Sequence, residues 1–222
     1  MNNDEKAKLN KSEGIKYFFP YWGPFVFVSK IEDEFVDLLL KRGKQSKEKR
    51  LSATSVLAGQ IKNEYNYENF EWFLPKFNPY FNAYCEGMTQ YGLDSRPSNH
   101  EFDWKSPKKC HLEHLWINFQ QAKEYNPPHA HSGDISFVIY LQVPDEIEKE
   151  KEEMQGVHNH PGPGVIVFDH GEDLKFSASR WTFMPQASDI IIFPAWLKHH
   201  VHSFESDVER ISVSGNITIN DE

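Results

Sequence analysis

In the stretch "NPPHAHSGDISFVIYLQV" (126–143), His129 and His131 stand one residue apart at the head of an apolar run. Side chains of an extended chain alternate faces, so His-x-His aims both imidazoles the same way and makes a start on a metal site. A further histidine group closes "DIIIFPAWLKHHVHSF", an apolar strand that stops at Pro194, turns through Trp196 and Leu197, and presents His199, His200 and His202. Just downstream, "RISVSGNITI" places Arg210 and Ser212 on one strand face and Ile211, Val213, Ile217 and Ile219 on the other. An inward arginine on so apolar a strand is costly unless it meets an anion. Its planar fork suits a carboxylate, with the Ser212 hydroxyl two residues on to assist. The plainer alternative is a structural ion pair with Glu209, Asp207 or a loop carboxylate.

The remaining histidines read as ordinary. His111 and His114, in "HLEH", have a helical spacing on what should be a strand. His158 and His160, in "VHNHPGPG", lie in a Pro/Gly-rich loop with nothing rigid to hold them. Facially arranged ligands with open positions suit non-haem Fe(II), which needs room for a cosubstrate and O₂. Neighbouring strands of a barrel supply such a face, and His199 can close it opposite His129 and His131.

The elements that must position these residues divide the chain. Residues 1–14 are polar and read as a flexible tail, and 15–222 as a single domain. Within it, 15–109 forms a helical and extended cover. A capping box at Ser29 and Glu32 opens a helix that should close near Gly43, and the charge run "KQSKEKR" follows as a solvated loop. A second helix starts at Asn78-Pro79, buries Phe81, Tyr84, Cys85 and Met88, and stops at Gly92. From 110 to 220, short apolar runs separated by turn residues predict an antiparallel sandwich or barrel, with "PDEIEKEKEEMQG" as a solvated hairpin excursion.

The joint order of His129-x-His131, "FPAWLKH" with His199, and "ERISVSGN" with Arg210 and Ser212 resembles the Fe(II)/2-oxoglutarate-dependent oxygenases, most closely their small bacterial and bacteriophage members. The resemblance spans about residues 110 to 220, and extends weakly upstream through "ATSVLAGQIKNEY". It implies a mainly β fold with flanking helices, a double-stranded β-helix (a jelly-roll, cupin-like barrel). It also implies that Fe(II) is held by His129, His131 and His199, and that 2-oxoglutarate is clamped by Arg210 and Ser212. Asn118, Tyr140, Trp116 and Gln120 lie on nearby strands and are candidates to contact cosubstrate or substrate. The implied activity is hydroxylation of an unactivated C–H bond, coupled to decarboxylation of 2-oxoglutarate. The family's usual first motif is His-x-Asp, whereas this chain has His131 where the aspartate belongs. Three arrangements follow: His131 as third ligand, Asp134 swinging in from the turn, or two protein ligands only. His131 is preferred because it keeps the strand geometry, although an all-histidine set is one negative charge short.

Two other classes remain in view: a cupin-type metalloprotein that does not use 2-oxoglutarate, and a non-catalytic jelly-roll binding module. With a formal charge of −9, a nucleic-acid backbone is a poor partner, so a protein side chain or small metabolite is the expected substrate. No run reaches the roughly 18 apolar residues of a membrane helix. A polar start and only two cysteines, Cys85 and Cys110, predict a cytoplasmic protein with reduced thiols.

Overall fold

The apolar runs after residue 109 become strands because β-branched and aromatic residues fill them and Gly, Pro and Asp interrupt them. The computed structural model describes residues 10–12, 15–17, 23–54, 57–91, 109–154 and 161–220. In chain order the elements are β1 (Asn10–Ser12), β2 (Ile15–Tyr17), β3 (Phe27–Lys30), α1 (Asp33–Glu48), β4 (Glu64–Asn66), α2 (Phe73–Gln90), β5 (Lys109–Gln120), β6 (Asn126–His129), β7 (Ile135–Gln142), α3 (Asp145–Glu153), β8 (Ile166–Asp169), β9 (Arg180–Phe183), β10 (Asp189–Pro194), β11 (Lys198–Val201) and β12 (Arg210–Asn220). Strands β1 and β2 pair as a hairpin, so part of the expected tail is paired strand.

Two antiparallel sheets face each other: six strands in the order β3-β10-β7-β12-β5-β4, and four in the order β6-β11-β8-β9. Alternation along the strands separates two cores. The outer face of the six-stranded sheet carries Leu115, Ile117, Phe137, Ile139, Ile211 and Val213 against Phe35 and Leu39 of α1 and Phe73, Phe77 and Tyr84 of α2. Phe137 stacks on Phe73 (5.2 Å) and meets Phe77 (4.7 Å). Burying each such ring contributes about 1.5–3 kcal/mol. A second, smaller cluster lies between the sheets and contains Val138, Tyr140, Ile166, Phe168, Ile191 and Phe193.

The cover departs from expectation at each helix. Ser29 lies in β3 opposite Ile190, so it caps nothing, and α1 starts at Asp33 without a side-chain cap. The helix also runs through Gly43 to Glu48. Its buried stripe continues as Gly43 and Ser46, small residues that let it lie close on the sheet. A Cβ at Gly43 would overlap Ile117 Cδ1 and sit 3.0 Å from the Tyr67 hydroxyl. The true stop is Arg50, at φ 57°, with the Leu51 N–H returning to the Ser46 carbonyl.

Helix α2 begins at Phe73, so Pro79 lies inside it, at an exposed position. Gly92 falls outside the described residues. The charged excursion is helix α3, with Asp145, Glu146 and Glu148 in the first turn and Lys151 in the last, signs that suit the helix dipole. Only Ile147 of α3 is buried, and the Glu150 carboxylate ties the helix to the Glu205 and Ser206 backbone N–H groups.

Candidate metal centre and anion pocket

His129 ends β6 and His199 is the second residue of the neighbouring β11, and the two are direct register partners across the pair. His131 lies just beyond β6, where its backbone N–H donates to the Ala195 carbonyl (2.9 Å), the turn that leads into His199. The three rings converge, with centroids 4.3–5.1 Å apart. One nitrogen from each lies within 4.8 Å of the others, and no other such cluster occurs among the described residues.

Two of the rings have a fixed tautomer. His129 Nδ1 is 2.7 Å from the Pro127 carbonyl, and His199 Nδ1 is 2.9 Å from the Leu197 carbonyl. A carbonyl only accepts, so each Nδ1 carries the proton and Nε2 is left with a bare lone pair for a metal. Burial, reinforced by neighbouring His129, holds His199 down to about 3 and His131 down to about 4, so both stay neutral and ready to ligate.

Asp134 is committed elsewhere. Its Oδ2 accepts the Ile219 N–H (2.7 Å), and its backbone pairs with Ile217 and Ala195. His131→Ala should therefore weaken metal binding far more than Asp134→Ala does, as titration with Co(II) would read. Asp134→Ala should instead lower stability by about 1 kcal/mol through its lost hydrogen bond. The reverse ranking would move the third ligand to the turn.

His200 points away from the cluster and sits 3.2 Å from the Asp169 carboxylate. His111 and His114 lie on β5 opposite Thr218 and Asn216, outside the cluster, and His158 and His160 fall outside the described residues.

Arg210 pairs with Gln120, and Ser212 with Asn118 on one side and Tyr140 on the other, so β5, β12 and β7 aim these side chains into one pocket. His129, His131, His199, Arg210, Ser212 and Tyr140 all line it, together with Trp116, Asn118 and Gln120. Arg210 is only 3% exposed. Its Nη1 donates to the Gly164 carbonyl and its Nη2 to Gln120 Oε1, while Nε has no partner. The guanidinium also stands over Tyr140 (5.6 Å) and Phe204 (5.9 Å).

The expected ion-pair alternative is absent: Glu209 accepts instead from Gln121 Nε2 (2.7 Å), and no carboxylate reaches Arg210 among the described residues. Burial lowers the Arg210 pKa, yet a guanidinium stays charged, so this cation is enclosed without a counter-ion. Burial pushes Tyr140 up to about 12, which keeps its unpartnered hydroxyl a donor. Ser212 Oγ accepts from Asn118 Nδ2 (3.4 Å), leaving its own proton free to give. This end of the pocket holds two buried groups without a partner, Arg210 Nε and the Tyr140 hydroxyl.

Sequence reading did not single out Gly164, Asn126 or Ile61. Gly164 belongs to the "PGPG" run beside Arg210, and Asn126 precedes His129 by three residues in the motif itself.

Residues 114–216 match the model of the family described as "Putative 2OG-Fe(II) oxygenase". The fold is shared with a prolyl-4-hydroxylase from Pseudomonas putida, at 13% identity and TM-score 0.51, covering 88% of this chain and 93% of that one. It is shared with the non-haem α-ketoglutarate-dependent carbocyclase SnoK of nogalamycin biosynthesis, at 11% identity and TM-score 0.52, covering 88% and 79%. A prolyl hydroxylase from Trichoplax adhaerens, solved with a hypoxia-inducible-factor peptide, aligns at 8% identity and TM-score 0.50, covering 87% and 83%. These likenesses identify the two facing sheets as a double-stranded β-helix. No curated protein matches the chain.

Proposed function

We propose, from the match of residues 114–216 to the 2OG-Fe(II) oxygenase model, that this chain works as an oxygenase of that superfamily through the residues of the pocket. The protein is an Fe(II)/2-oxoglutarate-dependent dioxygenase, and we assign it hydroxylation of a protein side chain or small metabolite. The observation that carries the assignment is Arg210, a buried cation with no carboxylate among its partners.

The residues fit both groups. Three converging imidazoles suit a transition metal, and the unpartnered Arg210 Nε and Tyr140 hydroxyl suit a carboxylate. When bound, the metal and 2-oxoglutarate supply the oxidising chemistry: O₂ and 2-oxoglutarate are consumed, succinate and CO₂ are released, and one oxygen atom enters the substrate's C–H bond.

His129, His131 and His199 would hold the metal. Arg210, Tyr140 and Ser212 would hold the distal carboxylate of 2-oxoglutarate, while Gln120 orients the guanidinium and Asn118 orients the Ser212 hydroxyl. Phe193 and Phe168 pack against His199, at 4.8 and 5.9 Å between ring centroids, and exclude water from that side of the site. A cupin-type site without 2-oxoglutarate has no use for a buried arginine lacking a counter-ion. Among the described residues no helix is long and apolar enough to cross a membrane.

Anaerobic titration of the Fe(II)-loaded protein with 2-oxoglutarate tests the reading. The expected result is a weak visible charge-transfer band that saturates with the cosubstrate. If neither a band nor calorimetric binding appears, the dioxygenase reading gives way to a metal-binding barrel that does not use 2-oxoglutarate.

A further inference from the structure

The donors around Arg210 are matched by a patch of opposite character in the same barrel. Glu64 of β4 lies directly opposite Asn118 of β5, so the two side chains share a sheet face. Glu64 is 2% exposed and Asn118 4%. Glu64 Oε2, Asn118 Oδ1 and Asn126 Oδ1 are all buried without a partner. Asn118 and Asn126 line the pocket that holds the three histidines.

Gly59 lets the groups converge, since a Cβ there would overlap Asn126 Oδ1 and stand 3.2 Å from Glu64 Oε1. A second buried acid, Glu124, lies near, but its oxygens are already taken by the backbone N–H groups of Lys62 (3.2 Å) and Gln121 (2.9 Å). Burial first, and Glu124 second, push the Glu64 carboxyl up to about 7, the expected cost of a carboxylate lacking a cation. Where the Arg210 end leaves donors unpaired, this patch leaves three acceptor oxygens unpaired.

Resting on the oxygenase reading, we propose that Glu64, Asn118 and Asn126 bind a primary ammonium of the substrate, which makes the substrate an alkylamine of the lysine side-chain type. Three orphaned oxygens match the three N–H donors of an ammonium group. A guanidinium is the poorer match, because its five N–H donors in a rigid planar fork exceed three orphaned oxygens that come from three different side chains. A 2-oxoglutarate carboxylate is disfavoured beside Glu64 by like charge and sits across Asn118, on the Arg210 and Ser212 side.

Calorimetric titration of the Fe(II)- and 2-oxoglutarate-loaded protein, kept anaerobic, tests this with N-acetyl-lysine amide, its neutral counterpart N-acetyl-norleucine amide, and n-butylammonium. The lysine probe should bind at least tenfold more tightly than the norleucine probe. Glu64→Gln should erase that margin, and Gly59→Ala, which fills the convergence point, should erase it independently. Comparable binding of n-butylammonium assigns a free small amine, and binding of the lysine amide alone assigns a side chain within a polypeptide. A margin that survives both substitutions, or lysine and norleucine probes that bind alike, overturns the proposal. Binding of 2-oxoglutarate to the wild type is read in the same experiment, so its absence marks failure of the oxygenase reading and not of the amine site alone.

Discussion

Arg210→Ala should weaken 2-oxoglutarate binding by about 30-fold or more while leaving Fe(II) affinity nearly unchanged. The magnitude follows from losing one partner of a buried, charge-assisted contact, which costs about 2–5 kcal/mol, at tenfold per 1.4 kcal/mol. The contact is enclosed because Arg210 is buried between β5 and β7 and faces the Tyr140 and Phe204 rings. Its partners Gly164 and Gln120 are neutral, so nothing else offsets the charge. Arg210→Lys should rescue only in part, since it keeps the charge and loses the fork. Calorimetry or the visible band on the Fe(II)-loaded protein reads the difference. Equal binding by the wild type and Arg210→Ala would remove the anion clamp from this position.

His129→Ala and His199→Ala should each reduce Fe(II) affinity by roughly 100-fold or more, since disturbing only the groups behind a ligand typically costs 10–100-fold. Both rings are held from behind by a backbone carbonyl and face each other across one strand pair, so neither can be replaced by a neighbour. His200, adjacent in sequence, is turned toward Asp169 and serves as the internal control: His200→Ala should leave Fe(II) affinity within a few-fold. Metal analysis of tag-free protein after dialysis distinguishes these variants. Full iron retention by His199→Ala would dismiss the triad.

Much of this site was legible in the sequence because strand ends are punctuated. Pro194 marks where β10 stops, and His199 follows the turn; Arg210 and Ser212 share a parity against Ile211 and Val213, which fixes the inward face. The barrel strands were legible for the same reason. The cover was harder to read. Gly43 looks like a terminator and is instead a contact point for Ile117, a distinction that depends on a residue from another element. Ser29 and Glu32 have capping spacing, but pairing of β3 with β10 takes precedence over a local cap. Helix α3 buries a single residue, so no apolar period announces it. Glu64 sits on a three-residue strand, too short to display alternation, and its importance arises only from what β5 and β6 bring beside it. The Asp134 carboxylate's bond to the Ile219 N–H of β12, which weighs toward His131 as third ligand, was likewise invisible without the fold.

Strand β6 is four residues long, reads Asn-Pro-Pro-His, and lies at the border of its sheet with register broken between His199 and Val201 of β11. Pro127 and Pro128 donate no hydrogen bonds, so this border is fastened by very few of them. An ion gripped by His129 and His199 would rivet the two strands together where the peptide backbone cannot. Metal occupancy would then be written into the mechanical integrity of the barrel wall: chelation should loosen this border first, and a protease would report it as a nick near Asn126 before activity is measured at all.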